Sequence, residues 1–326
     1  MKIAFYCLRD FDELPLCEEM KEKYGIDFVW TAEAPNKDNL SLAEGCLTVS
    51  ITPCLMTEEY VDILHGMGVR YIVCRSIGYD HLPLSYLKSL GMRSANTTYP
   101  TGCVADFAIM LILMTTRMVK ETTDRLAIQD FSLKGKMGRE IGDLTIGVLG
   151  TGHIGQVLIS HLKGFGCRIL CYDAYPSDKV AEMAEYADLE TIYREADVLT
   201  LHMPSNEDTY HMLNKEAFGK MKRGMTIVNT ARGGLIDTSA LVEALRSGQV
   251  AAAGLDVIEQ ENDLVYYDLK GQVLRNDELA LLKSFPNVIL TGHTAFYTET
   301  TVRNMVEKSF TSTLYFENGQ DNPNEV

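Results

Sequence analysis

Val148-Leu149-Gly150-Thr151-Gly152-His153-Ile154-Gly155, followed by Arg168-Ile169-Leu170-Cys171-Tyr172-Asp173, decides the reading of this chain. An apolar run from Leu144 to Leu149 enters glycines at G-x-G-x-x-G spacing, and a second apolar run ends in an aspartate. Each part has a physical task in holding a dinucleotide. Gly150 allows a tight strand-to-helix turn, and Gly152 lets the backbone approach a pyrophosphate. Gly155 lets the next helix pack close to the sheet, its N-terminal amides facing the phosphates. Asp173 stands where an acid receives both ribose hydroxyls, which favours NAD and repels the extra phosphate of NADP. A glycine triplet alone also serves ordinary tight turns. Strand, helix and acid in order make it a cofactor cradle.

Composition narrows the rest. The chain has 326 residues, 46% hydrophobic and 23% charged, as in a globular protein of about two domains. Its net charge of −15 argues against a nucleic-acid partner. The expected ligands are anions, so single arginines in glycine-rich segments become candidates for binding them. The longest apolar stretch, Phe107 to Met114, is too short to cross a bilayer, and the first residues read as a strand. A cytoplasmic, membrane-free protein is the expectation. The eight cysteines show no C-x-x-C pair and read as reduced thiols. With the seven histidines they form no metal-ligand cluster, so no metal is expected.

Two βα series follow one another, which predicts an α/β chain of two Rossmann-like or flavodoxin-like doubly wound parallel-sheet domains with an interdomain cleft. The first has apolar strands near Ile3–Leu8, Phe28–Thr31, Cys46–Ile51 and Tyr71–Arg75, with helical stretches such as Thr57–Met67 and Leu84–Leu90. Arg9-Asp10-Phe11-Asp12, not glycines, follows its first strand, so this half carries no dinucleotide. The second has strands near Thr145–Leu149, Arg168–Tyr172, Val198–His202, Thr226–Asn229, Ala252–Leu255 and Val288–Leu290. Pro100 and Gly102 mark a hinge before a long helical stretch through Met118. A last helix, about Glu299 to Glu317, precedes a polar tail, 318–326, read as disordered. That helix predicts a discontinuous substrate-binding domain of residues 1–99 plus 298–326, around an NAD-binding domain of 100–297.

Ligands of open α/β sheets bind beyond the carboxyl ends of strands. Reactive groups there include Arg232 in Thr226-Ile-Val-Asn-Thr-Ala-Arg232-Gly-Gly, Asp256, Glu259 and Glu261 after the next strand, and His293 after the last. Singly, each has an ordinary structural explanation: a surface ion pair, a turn cap, a loop histidine. Together they suit hydride transfer to a 2-oxo acid. An arginine fork holds the carboxylate and polarises the ketone. Histidine supplies the proton, and a glutamate orients its ring and stabilises the protonated form. Spacing does not choose between Glu259 and Glu261. His153 reads as a spacer in the glycine loop and His202 as a loop residue beside the cofactor. His65, His81 and His161 read as structural or surface groups.

These segments resemble the D-isomer-specific 2-hydroxyacid dehydrogenases nearly end to end. Gly150-Thr-Gly-His-Ile-Gly155 is similar to the family's cofactor loop, and Asn229-Thr-Ala-Arg232-Gly-Gly-Leu-Ile-Asp237 to its arginine motif. Leu255-Asp256-Val-Ile-Glu259-Gln-Glu261 is similar to its glutamate motif, and Gly292-His293-Thr-Ala-Phe-Tyr-Thr298 to its histidine motif. The long path from Glu261 to His293 and the Ala295-Phe-Tyr-Thr298 stretch are most similar to the D-lactate branch, including the vancomycin-resistance type. The resemblance implies an NAD-dependent D-lactate dehydrogenase with Arg232, Glu261 and His293 as catalytic residues. It implies substrate contacts at Arg75, Ile77 and Gly78 through backbone amides, and at Tyr99 and Tyr297. NAD is expected to meet Gly150, Gly152, His153, Ile154, Gly155, Asp173, Met203, Pro204, Thr209, Thr230, Ala231 and Asp256. The stretch Asp106–Arg117 becomes the helix of a homodimer interface.

The chain departs from that pattern at three places. Gly292 replaces a usual proline, which predicts a looser histidine loop, Asp106 replaces a glutamate, and Asn262 stands where other branches have proline. The vancomycin-resistance type lacks an acid at Asp173, which favours NAD over NADP here. A reductase of larger 2-oxo acids such as phenylpyruvate or 2-oxoisocaproate fits the same catalytic set. An NAD-sensing corepressor-like protein is the alternative from another class.

Overall fold

The computed structural model describes residues 1–261 and 264–326. The chain divides into two compact units, Met1–Pro100 with Tyr297–Val326, and Thr101–Phe296. Each is an α/β layer structure around a parallel sheet, in keeping with the two βα series of the sequence.

The first unit holds β1 (Lys2–Phe5), β2 (Asp27–Trp30), β3 (Thr48–Ile51), β4 (Tyr71–Cys74) and β5 (Arg93–Ala95). Their order is β2-β1-β3-β4-β5, all parallel. The short polar β5 lacks the apolar run that would mark it in sequence. The helix Glu299–Glu317 belongs to this unit. Thr298 caps it by accepting the Thr301 amide at 3.3 Å, and Phe310 packs its ring 5.7 Å from Phe5. Residues 318–326 are not disordered. Val326 donates its amide to the Ser94 carbonyl at 3.0 Å, Glu325 bridges to Ala95, and Asn322 and Asn324 are buried. An edge strand presents unpaired backbone groups, and here the polar tail satisfies them.

The second unit holds β6 (Thr145–Leu149), β7 (Arg168–Tyr172), β8 (Glu185–Tyr186), β9 (Val198–Leu201), β10 (Met225–Asn229), β11 (Val250–Leu255) and β12 (Val288–Leu290). The order β12-β11-β10-β9-β6-β7-β8 is parallel throughout and turns back on itself between β6 and β9. Both faces are covered, as parallel sheets require. Ile146 and Val148 point into one apolar cluster with Leu158 and Ile112, while Leu149 joins the other with Ile227 and Leu241. Helix Gly102–Thr116 lies on β10 and β11, where Gly254 leaves room for Leu111. No single described helix is long and apolar enough to cross a bilayer.

Candidate active site

The glycine loop joins β6 to the helix His153–Leu162. Gly150 has φ +97°, and a Cβ there would run into the His202 carbonyl and the Met203 amide. A Cβ on Gly155 would collide with the Gly150 carbonyl, whereas Gly152 faces open space. Thus two glycines serve packing, and the middle one leaves a concavity at a helix N-terminus, where amides favour an anion. His153 is exposed and Ile154 half-buried at that end. Asp173, just beyond β7, accepts the Thr151 amide at 2.6 Å and the Tyr175 amide at 2.9 Å. It therefore braces the loop as well as ending the strand.

Two further strand ends flank the cradle. Beyond β9, His202 shares a hydrogen bond with Thr200 Oγ1 at 2.8 Å, while its Nδ1 is enclosed without a partner among the described residues. Burial pulls the imidazole down to about 3, so it is neutral at ordinary pH. Met203 is half-buried and Pro204 exposed. Thr209 is built into the turn that follows Pro204. Its hydroxyl donates to the Pro204 carbonyl at 2.7 Å and accepts the Asn206 amide at 2.9 Å, so it shapes this turn. Beyond β10, Thr230 is buried with an Oγ1 that has no partner among the described residues, and Ala231 is half-buried. An open cradle at Gly152 with enclosed, unsatisfied polar atoms nearby fits a polar ligand of the NAD type.

Arg232 follows Thr230 and Ala231. Asn229 shapes this exit, donating to the Arg232 carbonyl at 2.8 Å and accepting the Ala231 amide at 3.0 Å. Arg232 Nη1 donates to the Ala231 carbonyl at 2.8 Å. Beyond β11 the two glutamates part company. Glu261 Oε1 lies 2.7 Å from His293 Nδ1, and its Oε2 accepts the Ile258 amide at 3.1 Å. Glu259 Oε1 lies 2.6 Å from His211 Nε2 instead, and its Oε2 accepts the Thr238 amide and hydroxyl at 3.0 and 2.8 Å. Geometry thus settles which carboxylate His293 meets. His211 has no local signature, because its partner is 48 residues away.

The His293 loop is held firmly. Gly292 has φ +69°, which proline cannot adopt, and His293 itself has φ +59°. Asp256 accepts the Thr291 hydroxyl at 2.6 Å and the Thr294 and Ala295 amides at 2.9 Å each. Its carboxylate is buried and holds this loop. The expectation that Gly292 loosens the loop is corrected by the same bonds. Tyr266 and Phe296 stand beside the imidazole, their ring centres 6.1 and 6.4 Å away. The departure at Asn262 lies outside the described residues. Elsewhere in this unit, Asp106 pairs with His161 Nδ1 at 2.9 Å.

In the first unit, Arg75 is a structural cation rather than a donor to substrate. It is fully buried, pairs with Glu13 at 3.0 Å, and donates to Ser50 Oγ and to the Tyr6 and Cys7 carbonyls. Its own amide donates to the Ile51 carbonyl at 2.7 Å, which corrects the expected substrate contact. A buried guanidinium must have its donors satisfied, and here it ties the ends of β1, β3 and β4 together. The amides of Ile77 and Gly78 have no partner among the described residues. Tyr99 is half-buried. Tyr297 donates its hydroxyl to Asp12 Oδ2 at 2.6 Å, with the Arg9 guanidinium 5.5 Å from its ring centre. That bond to Asp12 pushes the phenol upward.

Residues 109–295 match the family described as D-isomer specific 2-hydroxyacid dehydrogenase, NAD binding domain. The D-lactate dehydrogenase of Lactiplantibacillus plantarum is 38% identical, over 97% of this chain and 96% of its own. The aromatic 2-oxoacid reductase of Clostridium sporogenes is 37% identical over the same shares. The D-isomer specific 2-hydroxyacid dehydrogenase of Lactobacillus delbrueckii ssp. bulgaricus, solved in its NAD-complexed form, superposes with a TM-score of 0.86 at 30% identity. It covers 100% of both chains.

Proposed function

The chain belongs to the D-isomer-specific 2-hydroxyacid dehydrogenases, NAD-dependent oxidoreductases, and from that premise we propose that it reduces pyruvate to D-lactate. The observation that carries the reading is the Glu261–His293 pair at 2.7 Å, at a strand end next to the one that presents Arg232. NADH, when bound, supplies a hydride to the carbonyl carbon. Arg232 binds the substrate carboxylate and polarises the carbonyl oxygen through its fork of donors. Glu261 engages His293 at Nδ1, which orients the ring and leaves Nε2 to deliver the proton to that oxygen. Gly150, Gly152 and Gly155 seat the pyrophosphate with the amides of His153 and Ile154, and Asp173 selects the unphosphorylated ribose. Met203, Pro204, Thr230 and Ala231 line the cofactor's path, while Ile77, Gly78, Tyr99 and Tyr297 contact the oxo acid.

Tyr266 and Phe296 crowd the imidazole, which suits a substrate with a short side chain. The similarity to the aromatic 2-oxoacid reductase favours a second reading, reduction of larger oxo acids on the same groups. Specificity constants for pyruvate, phenylpyruvate and 2-oxoisocaproate, with chiral analysis of the products, decide between them. A higher constant for phenylpyruvate selects the second reading; a product of L configuration overturns both.

The protein acts as a cytoplasmic homodimer in this reading. Beyond helix Gly102–Thr116 the chain exposes Leu126, Ile128, Phe131, Leu133 and Met137, a run of apolar surface suited to a second copy. Sedimentation at micromolar concentration tests the dimer, and a monomer would refute it. Cell fractionation tests the compartment.

A further inference from the structure

A second histidine–glutamate pair, outside the catalytic set, joins the segments on which that set is mounted. The chain after β9 runs alongside residues 234–237. His211 donates its amide to the Gly234 carbonyl at 2.8 Å, Leu213 donates to Leu235 at 3.0 Å, and Asp237 donates back to Leu213 at 3.1 Å. Gly233 lies so close to Ile258 that any Cβ there would collide with the Ile258 carbonyl group. From this seam the His211 ring reaches across to Glu259 at 2.6 Å, and Glu259 also accepts from Thr238. The Glu259 carboxylate therefore links three segments. The second contains Gly233, which follows Arg232 directly. The third contains Glu259, two residues before Glu261, whose Oε2 holds the Ile258 amide. His211 is kept in the left-handed region, φ +51°, to make this reach.

We propose that His211 and Glu259 are positioning residues for the reaction, their hydrogen bond clamping the backbone that presents Arg232 and Glu261. The inference rests on the catalytic roles proposed above for those two residues. Neither member of the clamp touches substrate. Breaking it frees the Arg232 exit and the Glu261 turn to move relative to one another, which raises KM for the oxo acid and lowers kcat. The glycine loop and Asp173 are built from β6 and β7 and lie outside the clamp, so NADH affinity changes less than oxo-acid binding.

His211→Asn is the direct test, because asparagine tolerates the left-handed backbone but lacks an atom at the Nε2 position. His211→Gln keeps an amide nitrogen at that reach. The expected result for His211→Asn is a kcat/KM for pyruvate lower by about tenfold to a hundredfold, the usual cost of slack around reacting groups. KM and kcat should both change, NADH Kd should change less than KM for the oxo acid, and His211→Gln should recover most of the loss. Glu259→Asp, one methylene short of His211, breaks the same bond from the other side and should show the same split. A folded His211→Asn protein with parental KM and kcat, or a His211→Gln protein as impaired as His211→Asn, overturns the proposal. His293→Ala, measured in parallel, separates the two claims: near-normal turnover there defeats the catalytic assignment itself.

Discussion

The His293 amide donates to the Asp256 carbonyl at 2.6 Å, so the residue directly after β11 and the third residue after β12 are joined through their backbones. The Asp256 carboxylate then takes the hydroxyl and amides on either side of His293. A histidine at φ +59° needs such support, because the left-handed region is costly for a side chain with a Cβ. Asp256→Ala leaves one hydroxyl and two amides without their acceptor in an enclosed site. It should lower unfolding free energy by about 1–3 kcal/mol from the buried Ala295 amide, with a smaller addition from the part-buried Thr291 and Thr294 donors. Urea denaturation together with kcat measures this, and unchanged values for both would refute the anchoring role.

Removing the imidazole tests the proton donor. His293→Ala should lower kcat by about two or more orders of magnitude, the range of a positioned acid–base group. Quenching of NADH fluorescence should give a parental Kd. Turnover close to the parent would remove His293 from the mechanism.

The arginine fork is tested by charge-conserving replacement. Arg232→Lys keeps the cation but presents it as a point charge without the planar pair of donors. KM for pyruvate should rise roughly tenfold to a hundredfold, equivalent to one lost charge-assisted hydrogen bond of about 1.5–3 kcal/mol. An unchanged KM in initial-rate measurements would count against the role.

His202 makes stability depend on pH in a definite direction. Burial holds it at about 3 in the folded protein, against an ordinary value of 6.5. Between these values the unfolded chain binds a proton that the folded chain does not, so unfolding gains as pH falls. The stabilisation is complete above pH 6.5 and declines toward pH 3, by up to about 1.4 kcal/mol per pH unit. His202→Gln should flatten this slope in urea titrations of the cofactor-free protein at pH 7.5, 6.5 and 5.5. An identical slope in both proteins would rule His202 out as the source.

The division between what is local and what is not explains where the sequence is informative. Strands β6, β7, β9, β10, β11 and β12 are apolar runs, and a run of that kind buries itself wherever it goes. The glycine loop is equally local, because Gly150 must turn at φ +97° immediately after its strand. The succession Arg232, Glu261, His293 is visible for the same reason: each follows a legible strand in a nucleotide-binding sheet. β5 and the tail 318–326 carry no such pattern. Their order comes from pairing between Ser94 and Val326, distant in sequence, which polarity alone misreads as disorder.

The sequence by itself determined the α/β class, the place of the dinucleotide loop and the chemical types of the groups at the strand ends. Tertiary structure alone decided how those groups are shared. It gave Glu261 to His293 and Glu259 to His211, turned Asp256 onto the histidine loop, and buried Arg75 against Glu13. The physical reason is range. Strand and turn formation depends on neighbours along the chain, whereas a hydrogen bond depends on heavy atoms within about 3 Å, which only the folded sheet brings together.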